Sequence, residues 1–245
     1  VQYVKVSIIT PCLNSEKTIK DTMESVLKQT YKNIEYIVVD GGSTDGTMEI
    51  VKAYHSRFHG RMKYVSEKDN GIYEAMNKGI KLSSGRIIGI INSDDYYQYD
   101  AVSNIVENMT DEKYQVVYGF LNVIDKKGRV TIAKENHRNL LNEMIPHPTC
   151  FLTREIYRDY GMYSKHFRLA GDYDLMLRIH QYSNVQFIQI PRVISNFRRG
   201  GASDTIRINF EVNFIRFRYG GLSLKEFLLK SYMDYLDMKR FQTEE

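Results

Sequence analysis

The sequence predicts an α/β fold: a mostly parallel, Rossmann-type sheet flanked by helices, with a helical C-terminal extension. Three observations carry that expectation. Short apolar, β-branched runs alternate with segments of helical spacing through the first half of the chain. The run at 87–91 (IIGII) is apolar throughout, which suits a strand covered on both faces. A polar segment follows each of the first four strand-like runs.

Residues 4–9 (VKVSII) read as the first strand. A helix follows, because Ile19, Met23, Val26 and Leu27 recur at helical spacing. Residues 35–39 (EYIVV) make a second strand, and Ile50, Val51, Tyr54 and Phe58 mark a second helix. A shorter strand at 62–66 (MKYVS) leads into a helix carrying Ile72, Ala75, Met76, Gly79 and Ile80. After the 87–91 strand, Val102, Ile105, Val106 and Met109 mark a fourth helix. The second half is more mixed, with strands at 115–124 (QVVYGFLNVI) and 185–190 (VQFIQI) and helices near 153–160 and 172–181. Such alternation is the pattern of a parallel sheet with helices on both faces. No Pro- or Ser-rich linker divides the 245 residues, so 1–204 reads as one domain and 205–245 as its extension.

Composition narrows the partners. The net charge of +4 is spread along the chain without a dense basic run, which argues against nucleic acid and suits an anionic small molecule or an acidic membrane surface. Cys12 and Cys150 stand far apart, so neither a disulfide framework nor a structural zinc site is expected, and both read as packed small apolar residues. The opening VQYVKVSIIT lacks the pattern of a signal peptide, and no apolar run approaches the roughly 20 residues that cross a bilayer. A cytoplasmic protein, at most peripheral on the inner face of the membrane, is the expectation.

The polar segments are the informative feature. They are Thr10-Pro11-Cys12-Leu13-Asn14, Asp40-Gly41-Gly42-Ser43-Thr44-Asp45-Gly46, Glu67-Lys68-Asp69-Asn70-Gly71 and Asn92-Ser93-Asp94-Asp95. In a parallel sheet the C-terminal ends of the strands share one edge, where ligands bind in open α/β folds. Each segment alone has a plainer reading: Asp-Gly is an ordinary turn former, and Asp94-Asp95 could simply open a helix. Their joint placement favours a binding crevice. Paired carboxylates there suit Mg²⁺ or Mn²⁺, hard cations that take carboxylate and phosphate oxygens together. Neither a GxGxxG fingerprint nor a GxxxxGK[ST] loop follows the first strand, which argues against a dehydrogenase and a P-loop NTPase. No HExxH cluster suggests zinc.

These segments resemble the family 2 inverting glycosyltransferases of the GT-A fold. The resemblance rests on SIITPCLN at 7–14, IVVDGGSTDGT at 37–47, EKDNGIYEAMNKGI at 67–80, INSDDYY at 91–97, HPTCFLTREIY at 147–157 and AGDYDLMLRI at 170–179. It implies a sugar transferase in cell-surface polysaccharide synthesis, using a nucleotide-sugar donor, with UDP expected, and a glycan or lipid-linked sugar acceptor. It further implies that Thr10, Pro11 and Asn14 line the nucleoside pocket, that Asp40 accepts a hydrogen bond from the pyrimidine ring, and that Lys68, Asp69 and Asn70 sit nearby. Asp94 and Asp95 match the DxD-type element, one holding ribose and metal and the other the metal. Asp172 falls where the family's catalytic base sits, although Gly171 replaces the usual preceding Glu. Arg198 resembles a basic residue of a loop that closes over the diphosphate, with Gly200 where a His is common. His147 would face acceptor or diphosphate, and Asp174 reads as structural or supporting.

Independently of the resemblance, inversion needs one base beside the acceptor hydroxyl, a role open to Asp172. Its plainer reading is a helix cap. The aromatic and basic segment 205–245 reads as a helical cap packed on the domain or on a second subunit, with an interfacial membrane helix as the alternative. Two other functions stay open at this point. A nucleotidyltransferase would need a Gly-rich loop that TPCLNSEK does not offer; a non-catalytic glycan- or nucleotide-sugar-binding module would have no use for Asp94, Asp95 and Asp172.

Overall fold

The computed structural model describes residues 4–200 and 207–243. Its first half alternates strictly: β1 (Val6–Cys12), α1 (Ile19–Leu27), β2 (Ile34–Asp40), α2 (Thr47–His55), β3 (Met62–Ser66), α3 (Ile72–Leu82) and β4 (Ile87–Ile90). The order β3-β2-β1-β4 is parallel throughout. Side chains alternate across it with period two. Ile9, Ile37, Val39, Ile88 and Ile90 pack on one face, and Val6, Ile8, Tyr36, Val38 and Ile87 on the other. Both faces are covered by helices, so β1, β2 and β4 are buried along their length, whereas the edge strand β3 exposes Lys63, Tyr64 and Ser66.

The second half completes a nine-stranded mixed sheet. It runs β5 (Tyr96–Tyr97), α4 (Ala101–Asn108), β6 (Gln115–Ile124), β7 (Val130–Ala133), β8 (Phe151–Thr153), α5 (Arg154–Asp159), α6 (Gly171–His180) and β9 (Gln186–Arg198). Strand β8 is antiparallel to both β4 and β6, whereas β6 and β9 are parallel. Strand β9 runs eight residues past the expected stop at Ile190. The register shifts between Tyr118 and Phe120, so residues 190–192 stand opposite Gly119 alone and Pro191 costs no ladder hydrogen bond.

Two helices follow, α7 (Arg207–Arg218) and α8 (Leu224–Thr243). They differ in how they meet the body. Ile215 of α7 is fully buried in the core, with Ile208, Val212 and Tyr219 packed against it. Helix α8 lies along α7 and leaves Leu224, Leu228, Leu229 and Tyr232 more than half exposed. The expected boundary at 204/205 falls outside the described residues, as do the side chains of Arg240 and Phe241. No described helix is long and apolar enough to cross a membrane.

Candidate active site

The ends of β1 and β4, the start of α3 and the start of α6 surround one cleft of about 580 Å³. Pro11, Asn14, Asp69, Tyr73, Asp94, His147, Arg168, Asp172 and Phe197 line it. The loops are tied together before any ligand is considered. Asn14 adopts φ 49°, its amide donates to Ser43 Oγ over 2.8 Å, and its Oδ1 accepts from the Thr44 N–H at 2.9 Å.

Asp40 closes β2 and is fully buried. Its carboxylate accepts from the N–H groups of Gly42 and Ser43, from Ser43 Oγ at 2.5 Å and from Ser66 Oγ at 2.6 Å. Burial alone would raise its pKa; these donors outweigh burial and hold it below the ordinary carboxylate range. Thr10 is likewise buried, its hydroxyl accepting from Tyr36 over 3.0 Å. Neither residue is part of the cleft lining, and their polar side-chain atoms bond neighbouring loops and strands. Asp69 is the acid that reaches the cleft. It lies directly over Gly41, where a Cβ would sit 2.7 Å from Asp69 Oδ2. Lys68 and Asn70 are exposed and are not part of the lining, and Asn70 is held by the Glu74 carboxylate at 2.9 Å.

Beyond β4 the chain turns through an Asp95 N–H to Asn92 carbonyl bond of 3.1 Å. Asp94 lines the cleft half-buried, and Asp95 is fully buried behind it. Asp95 Oδ1 accepts the Arg198 N–H at 3.2 Å, while Oδ2 has no hydrogen-bond partner among the described residues. Burial, then the neighbouring charge of Asp94, pushes Asp95 well above the usual carboxylate range. Burial also raises Asp94, against a smaller pull from Arg198. The Arg198 guanidinium donates to the Asp94 carbonyl, pairs with Asp21 at 2.6 Å and stacks over Tyr96. Arg198 therefore supports the acidic turn from the side. The segment 201–203 of NFRRGGAS lies outside the described residues. An uncompensated buried carboxylate oxygen beside a second carboxylate is a site that gains from a cation. Among the described residues no cluster of three or more His, Cys, Asp or Glu could hold a metal.

Asp172 enters from the opposite wall, as the second residue of α6. Its Oδ1 accepts the Tyr73 hydroxyl at 3.0 Å and the Tyr173 N–H at 3.0 Å. Gly171 makes room for this: a Cβ there would lie 2.9 Å from the Tyr73 ring. Tyr73 stacks on Tyr163, whose hydroxyl meets His147 Nε2 at 2.9 Å. Burial lowers the His147 pKa, opposed in part by Asp172. Asp174 turns away, 2% exposed and bonded to Tyr219 Oη at 3.1 Å.

Sequence reasoning missed Tyr73, Tyr163, Arg168 and Phe197. Tyr73 stood within the segment EKDNGIYEAMNKGI without being singled out. The other three carry no local signal, since only the tertiary fold brings Arg168 and Phe197 to the cleft and Tyr163 behind Tyr73.

A cleft at the carboxyl edge of such a sheet, with a two-acid turn on one wall and a lone acid opening a helix on the other, defines a glycosyltransferase of the GT-A type. The chain belongs to glycosyl transferase family 2, which it matches over residues 7–170. It is 28% identical over 203 residues to a PGL/p-HBAD biosynthesis glycosyltransferase of Mycobacterium tuberculosis, covering 82% of this chain and 79% of the relative. It is 30% identical over 182 residues to chondroitin synthase of Escherichia coli, covering 72% of this chain and 26% of that one. Among solved structures, Staphylococcus aureus TarS 1–349 with UDP-GlcNAc superposes with a TM-score of 0.70 at 19% identity, covering 92% of this chain and 69% of TarS 1–349. The mannosyltransferase PcManGT of Pyrobaculum calidifontis, with GDP-Man and Mn²⁺, gives 0.67 at 18% identity, covering 88% and 63%. This chain spans 39% of the longer TarS chain.

Proposed function

We propose that this glycosyltransferase moves one sugar from a UDP-linked donor to a hydroxyl of a glycan or lipid-linked acceptor, with inversion, in cytoplasmic synthesis of cell-surface polysaccharide. The observation that carries the reading is one cleft shared by Asp94, at the mouth of the two-acid turn, and by Asp172. The nucleotide sugars bound to TarS and PcManGT, and the Mn²⁺ in the latter, support a nucleotide-sugar donor with a cation.

Asp94 and Asp95 would hold Mn²⁺ or Mg²⁺, and the unpartnered Asp95 Oδ2 fits that demand. Such a cation supplies charge neutralisation at the departing diphosphate. Pro11 and Asn14 flank the nucleoside, and Asp69 accepts the ring N–H of the base while Asp40 keeps the floor rigid. On the far wall Tyr73 and the Tyr173 N–H occupy Asp172 Oδ1, which leaves Oδ2 to take the acceptor's proton as the new bond forms. With Asp172 taking its proton, the acceptor oxygen would attack the anomeric carbon opposite the departing diphosphate, and one such displacement inverts the configuration.

Asp172→Asn tests the reading. Stabilisation by UDP with Mn²⁺ should persist while turnover falls about 10²–10⁴-fold. Turnover near the wild-type rate would move the base elsewhere, and a retained anomeric configuration in the product would overturn the mechanism.

A further inference from the structure

Helix α6 opens without a cap of its own. Ala170 stands at the cap position and has no side-chain oxygen to offer the free N–H groups, of which Asp172 takes that of Tyr173. A carboxylate from α7 instead binds the residues that lead into the helix. Glu211 Oε1 accepts the Arg168 N–H, and Oε2 accepts those of Leu169 and Ala170, each at 2.9 Å. Three main-chain donors thus converge on one carboxylate at the positive end of the helix. A second tie lies just past Asp172, where buried Asp174 accepts Tyr219 Oη at 3.1 Å and Arg218 Nη1 lies at 3.4 Å. Helix α7 therefore grips the start of α6 on both sides of Asp172. The gripped segment is also the cleft wall, since Arg168, Leu169 and Asp172 all line it.

We infer that Glu211 is a positioning residue: it fixes the 168–172 wall so that Asp172 meets the acceptor hydroxyl in register. The inference rests on the proposed role of Asp172 as the base. A bare hydrogen bond would not need a charged side chain with two acceptor oxygens. Here both oxygens are used, and the Gln amide that replaces one of them cannot accept.

Glu211→Gln is the test, with UDP-N-acetylglucosamine and Mn²⁺ as the probe. Amide exchange across 168–172 should quicken about tenfold while the β1–β4 amides keep their protection. Release of UDP should fall about tenfold in kcat at an unchanged donor KM. In an Asp172→Asn background the same change should add almost nothing, because the residue acts through Asp172. Unaltered exchange at 168–172 would overturn the clamp. Faster exchange with unchanged kcat, or an equal loss in both backgrounds, would overturn the positioning role. A wild-type chain that neither releases UDP nor is stabilised by it would instead sink the sugar-transfer reading, and amide exchange would still decide the clamp.

Discussion

The Tyr73 hydroxyl donates to Asp172 Oδ1 over 3.0 Å, joining two helix starts 99 positions apart in the chain. The bond holds the carboxylate in one rotamer across the cleft. Tyr73→Phe should keep the stacked ring and lose only that restraint. Turnover should fall about 3–10-fold, with UDP and Mn²⁺ still stabilising the protein. Steady-state kinetics check this, and a raised donor KM with unchanged kcat would assign the phenol to donor binding.

Asp95 combines full burial with an oxygen that has no partner among the described residues. Asp95→Asn keeps the volume and removes the charge. The metal-free protein should therefore melt at the same temperature or higher, since an uncompensated buried charge is costly. The extra stabilisation by UDP with Mn²⁺ over UDP with EDTA should vanish. Thermal scans read both quantities. Earlier melting with the metal increment intact would make Asp95 a structural residue.

Gly41 touches the one nucleotide-side acid that faces the cleft. In Gly41→Ala the new Cβ would stand 2.7 Å from Asp69 Oδ2, so the carboxylate must swing away. UDP affinity should weaken about tenfold, or about 1.4 kcal/mol, with little change in melting temperature. Isothermal titration measures it; unchanged affinity would remove Asp69 from the base pocket.

Glu35 gives a pH signature unrelated to catalysis. Burial would raise its pKa, but Ser7 Oγ at 2.5 Å, the Ser84 amide and hydroxyl, and Lys5 at 3.4 Å overcome burial and lower it to about 2. The folded pKa lies below the unfolded one, so this stabilisation is present above about pH 4.3 and drains away as pH falls toward 2. Glu35→Gln should cost about 1–3 kcal/mol at pH 7 and progressively less in acid. Denaturant melts at pH 7 and pH 3 compare the two. A difference independent of pH would show that packing, not charge, is at stake.

Much of this architecture was legible because its signals are local. The strands at 62–66 and 115–124 have the expected bounds, and α1, α3 and α6 start within one residue of theirs. Their apolar periods are long and their neighbours polar. Strands β5 and β8, two and three residues long, carry no period to read. The stop expected at Ile190 follows the usual meaning of proline, which the bulge at 190–192 cancels. The same limit applies to the site. Six of the expected site residues (Pro11, Asn14, Asp69, Asp94, His147 and Asp172) line the cleft. Asp40 did not reach the surface, because a turn acid can satisfy its own loop as readily as a ligand, and sequence does not say which. Glu211 gave no signal, since its partners lie about forty positions away and offer only backbone.

Strand β9 brings the Arg198 N–H to Asp95 across 103 positions, and Asp172 lies past the 7–170 family core. During synthesis the shelf at the ends of β1–β4 leaves the ribosome first. The strand that backs the acidic turn, the helix bearing Asp172 and the α7 grip all emerge later. A chain arrested after β8 would carry the strand ends of β1–β4 and the acidic turn, with neither Asp172 across from them nor β9 behind them.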